Sequence, residues 1–425
     1  MARFTGIIGI IIILGLAYLW SNNRKAINLR LVITGLLLQL ALAIFILKVP
    51  IGQDIFAWLG KAINKLLDFS QEGGLFVFGD LTRVTQILPE GIVRSGVFLF
   101  VLLPTIIFVC VLVAMAYHVG LMQRVVAVIA RFVHWAMRVS GSEALSNVAS
   151  AFVGQVEAQI MIRPYLAGMT RSELLASMTG SMACIAGGVM AVYISMGVPA
   201  SYLLAASLMA APGALVISKI VFPETEVSET KGKVTIEIKK EHSNIMDAIS
   251  HGASDGMKIS INVIAMLIGV IALIALIDAL LGYFGHFLAW TGMSLEAIGL
   301  NLDNLRLKDV VGALFSLFAI VMGVPASESL EVGSLMGTKM VINEFVAYSD
   351  LSPMIAQGML SAKSITIASF ALCGFANFSS VAIQLGGIGA IAPTRKADLA
   401  RLGLKAMFCG TMASYISASL AGILL

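Results

Sequence analysis

Two glutamates in strongly apolar surroundings are the residues of this sequence best suited to chemistry. Glu157 lies two residues after Gln155, and Glu344 directly follows Asn343, in a chain that is 59% hydrophobic. An unpaired, ionised carboxylate at the centre of a bilayer costs roughly 3 kcal/mol or more. Each carboxylate must therefore have a charged partner, be protonated or be hydrated. Ligand or proton binding is one interpretation. The structural alternatives are a capping network around Glu157 and an ion pair between Glu344 and Lys339.

Polar residues near the end of the chain could contact a hydroxylated ligand. Asn377 and Ser380 lie three residues apart, and therefore on one face if the segment is helical. Alternatively, they form hydrogen bonds between packed helices. Phe375 could stack on a flat ligand, although a single aromatic ring equally suits a packed core.

Other patterns argue against catalysis and against a metal centre. The four cysteines, Cys110, Cys184, Cys373 and Cys409, are far apart and form no C-x-x-C pair. The sequence also contains no H-E-x-x-H motif. We therefore expect no enzyme, no catalytic residues, no disulfide framework and no bound cofactor. The net charge of +4 comes without a basic stripe interleaved with aromatics, so we expect no nucleic-acid partner.

The composition indicates which kind of element must position these residues. Charged residues make up 12% of the 425 residues, against about 25% in an ordinary globular chain. So little charge cannot cover a core with polar surface, which excludes a soluble enzyme, a disordered protein and a disulfide scaffold. We predict a polytopic membrane protein. Only Arg3 precedes the first apolar stretch and no A-x-A site follows it, which favours a retained helix over a signal peptide.

Eight apolar stretches are long enough to cross a bilayer. Two of them, Thr179–Val198 and Ile365–Ile391, contain glycine and polar residues at mid-span, which predicts helices that are unwound at their centres. The six uninterrupted stretches are Thr5–Ser21, Leu31–Lys48, Val97–Tyr117, Tyr202–Phe222, Ile259–Tyr283 and Leu402–Leu425.

The distribution of lysine and arginine predicts the orientation. With the N-terminus outside, 18 of the 28 basic residues fall on the inner side, so both termini are predicted to lie outside a bacterial inner membrane. Asp54–Phe69 and Leu121–Ser140 are amphipathic at helical spacing and are predicted to lie on the outer and inner membrane surfaces. The polar stretch Glu224–Ser243 is predicted to be a cytoplasmic loop with room for a short hairpin.

The second half of the chain echoes the first. Ala144–Tyr165 and Val321–Tyr348 are short and semi-polar, each carries one of the two glutamates, and an interrupted span and a full span follow each. The predicted topology has them enter the membrane from opposite sides, which is typical of an inverted repeat with re-entrant hairpins. The predicted fold is thus an all-α polytopic membrane protein with about eight transmembrane helices, two re-entrant hairpins, two interrupted helices and interfacial helices.

At these same residues the sequence resembles the concentrative nucleoside transporter family. The matching stretches are GQVEAQIMIRPYLAGMTRSELLASM (154–178), GVPASESLEVGSLMGTKMVINEFVAY (323–348), CGFANFSSVAIQLGGIGAIAP (373–393) and RLGLKAM (401–407). Their order matches the family over nearly the whole chain, and motifs of this length are specific. The resemblance implies a homotrimer. In each protomer, a mobile transport part would carry the substrate past a scaffold part, as an elevator does.

The resemblance also assigns parts of the chain to these roles. Residues 1–118 would form N-terminal scaffold helices, and 119–258 the first transport repeat with a cytoplasmic loop. Residues 259–308 would form a scaffold helix with an outer loop, and 309–425 the second transport repeat. Family members hold the nucleobase between the first hairpin and the first broken helix, and the ribose between the second pair. The corresponding positions are Gln155, Val156, Glu157 and Val189 for the base, and Glu344, Asn377, Ser380 and Phe375 for the ribose.

Three positions depart from the family pattern. Many members have Thr or Ser where this chain has Val156, which leaves the base preference open. The other two lie in the sodium site that the resemblance implies. There, sodium-coupled members have Asn in place of Ser150 and Ser or Thr in place of Cys184, while the backbone carbonyls of Val153 and Ile185 could remain as ligands. Sodium prefers hard oxygen ligands, so a thiol is a poor replacement. We therefore predict either a weakened sodium site or proton coupling through one of the two glutamates.

The expected function is a secondary active symporter that imports nucleosides across the bacterial inner membrane with Na+ or H+. The expected partners are a nucleoside, the lipid bilayer and two further copies of the chain. A channel and a transporter of another small polar solute remain alternatives, because a channel would also use broken helices. Saturable, uphill uptake separates a carrier from a channel.

Overall fold

The computed structural model describes residues 5–82, 85–87, 93–95, 98–231, 243–291, 302 and 305–425. Within these ranges the chain is almost entirely helical. The helices are α1 (Thr5–Leu19), α2 (Leu29–Leu47), α3 (Pro50–Phe78), α4 (Phe98–His118), α5 (Leu121–Met137), α6 (Gly141–Ser150), α7 (Glu157–Ile160), α8 (Arg163–Leu166), α9 (Arg171–Ala183), α10 (Gly187–Ser195), α11 (Ala200–Val221), α12 (Ile245–Trp290), α13 (Leu307–Met322), α14 (Ser329–Val341), α15 (Glu344–Ala356), α16 (Ala362–Leu372), α17 (Phe378–Ile391) and α18 (Lys396–Leu424).

The predicted apolar stretches correspond to helices, and the fold class predicted from the sequence is confirmed. Among the described residues, five helical segments are long and apolar enough to cross a membrane, or six if α4 and α5, which meet at a 75° bend, count as one span. The helix α12 is much longer than the predicted Ile259–Tyr283, and α3 extends beyond Asp54–Phe69 at both ends. Val97, the predicted start of the third span, lies outside the described residues.

One feature was not predicted from the sequence. A small antiparallel pair of strands, β1 (Thr85–Ile87) and β2 (Val93–Ser95), lies between α3 and α4 in a region with no predicted strand. The short hairpin predicted within Glu224–Ser243 falls mostly on residues 232–242, outside the described residues. At the start of that stretch, the Glu224 carboxylate accepts hydrogen bonds from Thr170 Oγ1 and Lys219 Nζ.

Both interrupted spans are broken helices, as the glycine and polar residues at mid-span predict. The first broken helix consists of α9 and α10, with a break at 184–186, and the second consists of α16 and α17, with a break at 373–377. The two breaks touch each other: a Cβ atom on Gly374 would collide with the backbone of Ala183, and Gly374 has a φ of 102°. Glycine is required at this position because the backbone is left-handed and because the two broken helices approach closely.

Side-chain caps fix where the short helices begin. The Asn343 and Asn377 side chains each accept a hydrogen bond from a backbone N–H in the first turn of α15 and α17, respectively. Thr170 and Glu173 form a reciprocal capping box at the start of α9. Such caps satisfy the N–H groups that a helix start leaves unpaired, which matters most where water is scarce.

The order of the elements repeats in the two halves. In the first half, α4 leads to the amphipathic α5, a first hairpin (α6–α8), the first broken helix and α11. In the second half, α12 leads to the amphipathic α13, a second hairpin (α14–α15), the second broken helix and α18. The helices α4 and α12 pack against each other, whereas α5 and α13 pack against the first arms of their hairpins. The sequence analysis did not separate α13 from the second hairpin, which begins at Ser329 rather than Val321.

The most deeply buried layer consists of α9, α11, α16 and α18, which pack against one another. The N-terminal helices cover it, with α1 against α18 and α2 against α11. Gln39 of α2 lies fully buried in this contact and donates hydrogen bonds to Met209 O and Ser417 Oγ. These contacts do not distinguish a scaffold part from a transport part, so the assignment of residues 1–118 to a scaffold stays a prediction.

Candidate functional site

A large cavity lies between the first hairpin, the break of the first broken helix and the helix pair α4–α12. Its volume is about 1210 Å³, slightly above the usual range for pockets that hold small molecules. The wall contributed by α4 and α12 includes Cys110, Asp255 and Asn262. The opposite wall carries five of the eight residues predicted to contact substrate. These five are Gln155, Val156, Glu157, Val189 and Phe375.

Glu157 presents its carboxylate to this cavity. It is the first residue of the short helix α7, directly after the non-helical tip of the first hairpin, and its side chain is exposed. The carboxylate lies over Gly154, where a Cβ atom would collide with it. Among the described residues, none donates a hydrogen bond or forms an ion pair with Glu157. The capping network offered as a structural alternative is therefore not observed there, and the carboxylate remains available to a ligand or a proton.

Val156, where the chain departs from the family pattern at the predicted base site, packs on the second broken helix. A Cβ atom on Gly387 of α17 would collide with the Val156 side chain, so the two elements approach closely at this point. Val156 thus borders the cavity and also forms part of the contact between the first hairpin and α17. Threonine, which has the same branched shape, would keep this contact.

Glu344 is buried behind the cavity wall. It begins α15, and its carboxylate accepts hydrogen bonds from Tyr193 Oη at 3.2 Å and from Asn377 Nδ2 at 2.7 Å. Tyr193 belongs to the first broken helix and Asn377 to the second, so this carboxylate joins three elements. The sequence analysis did not single out Tyr193, because nothing in an apolar helix signals which partner a tyrosine hydroxyl will reach.

The ion pair between Lys339 and Glu344, offered as a structural alternative, is not what the structure contains. The buried Lys339 ammonium instead donates hydrogen bonds to the carbonyl oxygens of Ala371 and Cys373, at 2.8 and 3.0 Å. These carbonyls lie at the break of the second broken helix, where the last carbonyls of α16 lack helical partners. A positive charge at the C-terminal end of a helix is also favoured by the helix dipole.

Asn377 and Ser380 lie next to each other, as their spacing predicts, but they are linked through a helix cap. Asn377 Oδ1 accepts hydrogen bonds from the Ser380 N–H at 2.8 Å and from Ser379 Oγ at 2.7 Å. With its amide nitrogen bound to Glu344, the Asn377 side chain is engaged at both ends. Both Asn377 and Ser380 are buried, and neither is part of the cavity wall.

Gln155 connects the cavity to this buried group. Its Nε2 lies 3.5 Å from Ser380 Oγ, and its Oε1 lies 3.5 Å from Nε2 of Gln384. Residues predicted to hold the base and residues predicted to hold the ribose therefore belong to one polar network across the two repeats. Gln384 was missed by the sequence analysis, although a glutamine within the apolar stretch of α17 is itself a signal.

The side chains of Ser150 and Cys184, at the predicted cation position, form hydrogen bonds within the protein. Ser150 Oγ donates to Ser146 O at 2.7 Å and lies 3.0 Å from Ser181 Oγ. Ser181 Oγ also accepts from Nε2 of Gln159 at 2.8 Å. Cys184, at the break of the first broken helix, directs its thiol to Ser207 O at 3.6 Å. No group of three His, Cys, Asp or Glu residues able to hold a metal occurs among the described residues.

The Cys184 thiol fits Na+ poorly because sulfur is a soft ligand, whereas the Ser150 hydroxyl donates its hydrogen to Ser146 O and keeps oxygen lone pairs. Val153 and Ile185 are both buried, and Val153 also borders the cavity. Gln159, which supplies the amide donor to this group, was not singled out by the sequence analysis.

Comparison with known proteins matches almost the whole chain to one group of transporters. Residues 8–81 and 202–422 match the families described as "Na+ dependent nucleoside transporter", N-terminus and C-terminus, and residues 99–200 match the family described as "Nucleoside recognition". The chain is 41% identical to the uncharacterized transporter YutK of Bacillus subtilis over 98% of both chains. It is 36% identical to the nucleoside permease NupC of Helicobacter pylori over 98% of this chain and 96% of the permease.

Solved structures of CNTnw show the same fold. The structure of CNTnw in an inward-facing, substrate-bound state is 40% identical in sequence and superposes with a TM-score of 0.89 over 100% of this chain and 98% of that one. Variants of CNTnw have been solved in outward-facing and intermediate states.

Proposed function

Because the chain belongs to the family of Na+-dependent nucleoside transporters, we propose that it imports nucleosides as a secondary active symporter driven by a cation gradient. The family and the apolar helices make it a multi-pass membrane protein and not an enzyme. The observation that best supports the proposal is the cavity of about 1210 Å³, one wall of which carries five of the predicted substrate residues. The buried Glu344–Asn377 group lies behind that wall, within reach of the network through Gln155.

The packing supports an elevator-type movement. The helices α4 and α12 pack against each other, while the hairpins and broken helices surround α11 and α18. The cavity lies between these two groups and takes lining residues from both. A movement of one group along the other would carry a ligand held by the hairpins without breaking the network that binds it. The distinct states solved for CNTnw support the same proposal.

We propose that the coupling ion is a proton. The position where a sodium ion would need oxygen ligands holds a chain of protein hydrogen bonds through Ser150, Ser181 and Gln159. The amide N–H of Gln159 places its partial positive charge against Ser181 Oγ, where a cation would otherwise supply positive charge. The Cys184 thiol is a soft group that Na+ does not favour.

Glu157 is the proposed proton carrier. It faces the cavity and has no hydrogen-bond donor among the described residues, whereas the Glu344 carboxylate already accepts two hydrogen bonds. A carboxylate without such partners can take up a proton without breaking a hydrogen bond within the protein. Protonation would make the loaded site nearly neutral, and the neutral site would cross the membrane at a lower energetic cost.

Uptake into proteoliposomes tests the function and the ion separately. Labelled uridine and adenosine are offered under an inward proton gradient without sodium, and under an inward sodium gradient at equal pH. We expect saturable, uphill uptake with the proton gradient alone. Uptake that requires sodium at fixed pH would overturn the proton assignment but keep the symporter. Uptake that never exceeds equilibrium would indicate a channel.

We further propose a homotrimer in a bacterial inner membrane with both termini outside. The long helix α12 exposes large apolar side chains such as Ile271, Leu280 and Phe287, a surface that suits contact with lipid as well as with further copies of the chain. Light scattering of the detergent-solubilised protein gives the number of copies. Labelling of single cysteines introduced near each terminus of intact cells gives the orientation, and a monomer or protected termini would contradict the proposal.

A further inference from the structure

Gln384 is a fully buried glutamine in the second half of the second broken helix. Its Nε2 lies 3.2 Å from the carbonyl oxygen of Met178 in α9 and 3.5 Å from Oε1 of Gln155. Its own Oε1 is buried without a hydrogen-bond partner among the described residues. A buried amide oxygen without a partner carries a free-energy cost, which an apolar side chain of similar size would avoid. The amide must therefore have a use that involves its NH₂ group.

The direction of the Gln384 amide is fixed by the backbone. A carbonyl oxygen can only accept hydrogen bonds, so the group that faces Met178 O must be the NH₂ of Gln384 and not its oxygen. The same NH₂ then faces Gln155. The opposite orientation of Gln384 would place two oxygens against each other at Met178.

The direction of Gln384 in turn fixes that of Gln155. With an NH₂ group in front of it, Gln155 must present its Oε1, since the reverse would set two NH₂ groups face to face. The Gln155 NH₂ then points away, toward Ser380 Oγ. Both contacts are long for hydrogen bonds, so the network sets the direction of the amide more than it adds stability. One N–H of Gln155 is directed to Ser380, and the second is left for the cavity, which Gln155 lines.

We infer that Gln384 is a positioning residue that makes Gln155 a hydrogen-bond donor to the nucleobase, and thereby sets which bases are preferred. This inference rests on the proposed function. A donor on the protein favours a base that offers a carbonyl oxygen, such as uracil, over one that offers an amino group at the same position, such as cytosine. Wild-type protein should therefore prefer uridine to cytidine.

Two substitutions separate this role from simple packing. Gln384→Glu keeps the shape but replaces the NH₂ by an oxygen, so Gln155 should reverse and present its Oε1 to the cavity. Gln384→Met fills the same space without any polar group and leaves the Gln155 amide free to rotate. Gln357→Glu, at an exposed position after α15, is the matched control.

The measurement is counterflow of labelled uridine and cytidine in proteoliposomes, which needs no ion gradient. We expect the uridine-to-cytidine ratio of kcat/KM to fall by roughly three- to tenfold in Gln384→Met, as expected for one hydrogen bond, and to drop below one in Gln384→Glu. The ratio of uridine to 2′-deoxyuridine, which reports on the ribose, should stay at its wild-type value in both variants. The control should match the wild type throughout.

The outcomes distinguish this inference from the proposed function. If wild-type protein exchanges nucleosides but both variants keep its uridine-to-cytidine ratio, Gln384 only packs and the inference is overturned. An equal loss for uridine and cytidine, or a wild-type preference for cytidine, overturns it as well. Wild-type protein that exchanges no nucleoside refutes the proposed function and, with it, the inference. Should Gln384→Glu fail to fold, the ratio in Gln384→Met decides alone.

Discussion

The side-chain amide of Asn377 donates a 2.7 Å hydrogen bond to the carboxylate of Glu344. The contact joins the start of the second arm of the second hairpin to the start of α17, and the Tyr193 hydroxyl adds the first broken helix to the same carboxylate. Hydrogen bonds to an ionised acceptor are stronger than those between neutral groups, and burial strengthens them further. Glu344 is therefore held in one orientation by both repeats, which suits its predicted contact with the hydroxyls of a ribose.

Substitution of Glu344 by glutamine tests the ribose assignment. The glutamine can keep both contacts, because its oxygen accepts from Asn377 and its NH₂ donates to the Tyr193 oxygen, so the fold should survive. It loses the charge that would strengthen hydrogen bonds from two ribose hydroxyls. We expect kcat/KM for uridine to fall by on the order of 100-fold, which makes uptake undetectable in most assays.

The control for Glu344→Gln is Glu226→Gln, at an exposed position in the loop after α11. The measurement is initial uridine uptake at equal amounts of folded protein, judged by gel filtration. Wild-type uptake in the Glu344 variant would remove this residue from the ribose site.

Val156→Thr tests whether the missing hydroxyl affects the choice of base. Threonine has the same branched shape, so the contact with Gly387 should remain. Its hydroxyl adds a hydrogen-bonding group at the cavity, close to the position predicted for the base. We expect the ratio of uridine to adenosine uptake to change several-fold, by competition with unlabelled nucleosides. Identical competition profiles in wild-type protein and variant would count against the assignment of Val156 to the base site.

The pair Ser150→Asn and Cys184→Ser tests the proton assignment. Together they supply a carbonyl and a hydroxyl oxygen, which are the hard ligands that Na+ prefers. We expect uridine uptake by the double variant to be stimulated by sodium at constant pH, whereas wild-type uptake is not. Cys409→Ser, which changes a buried thiol on α18, is the control. Equal sodium dependence in wild-type and double-variant protein, or none in the double variant, would contradict the prediction.

Lys339→Met tests what stabilises the break of the second broken helix. The substitution leaves the carbonyl of Ala371 without its donor, at about 1–3 kcal/mol, whereas the carbonyl of Cys373 keeps a second hydrogen bond from Ser414 Oγ. Removal of a buried ammonium offsets part of this loss, since burial of a charge is itself costly. We expect a net loss of about 2 kcal/mol, seen as a Tm lower by several degrees in detergent.

The exposed Lys61→Met, on α3, serves as the control for Lys339→Met. An unchanged or higher Tm in the Lys339 variant would mean that the ammonium costs as much as it contributes.

Local features of the fold were predictable because they depend on a few neighbouring residues. The break between α16 and α17 was predicted from Gly374 and Asn377, which lie in one apolar stretch, because glycine and asparagine interrupt or cap helices. Hydropathy alone predicted α2, α11 and α18 to within a few residues at most ends. The two glutamates were singled out by the same reasoning, because a charge in an apolar stretch is rare enough to be informative.

Contacts between distant residues were not predictable in this way. The sequence paired Lys339 with Glu344 because they are five residues apart, yet the ammonium reaches carbonyls more than 30 residues away. Gln159 and Gln384 carried no positional signal beyond their polarity, and their partners lie in other elements. The roles of the predicted substrate residues stay predictions, since the structure places five of the eight on a cavity wall and three behind it.

By itself, the sequence determined the membrane class, the helical fold, the two breaks and the two glutamates in apolar surroundings. These follow from hydropathy and from local backbone preferences, which act over one or two helical turns. Only the tertiary structure decided that Gln155 of the first hairpin meets Gln384 of the second broken helix, and that Tyr193 meets Glu344. Those contacts join residues 151 or more positions apart. They arise because the two halves of the chain pack their breaks against each other, and no local pattern encodes that packing.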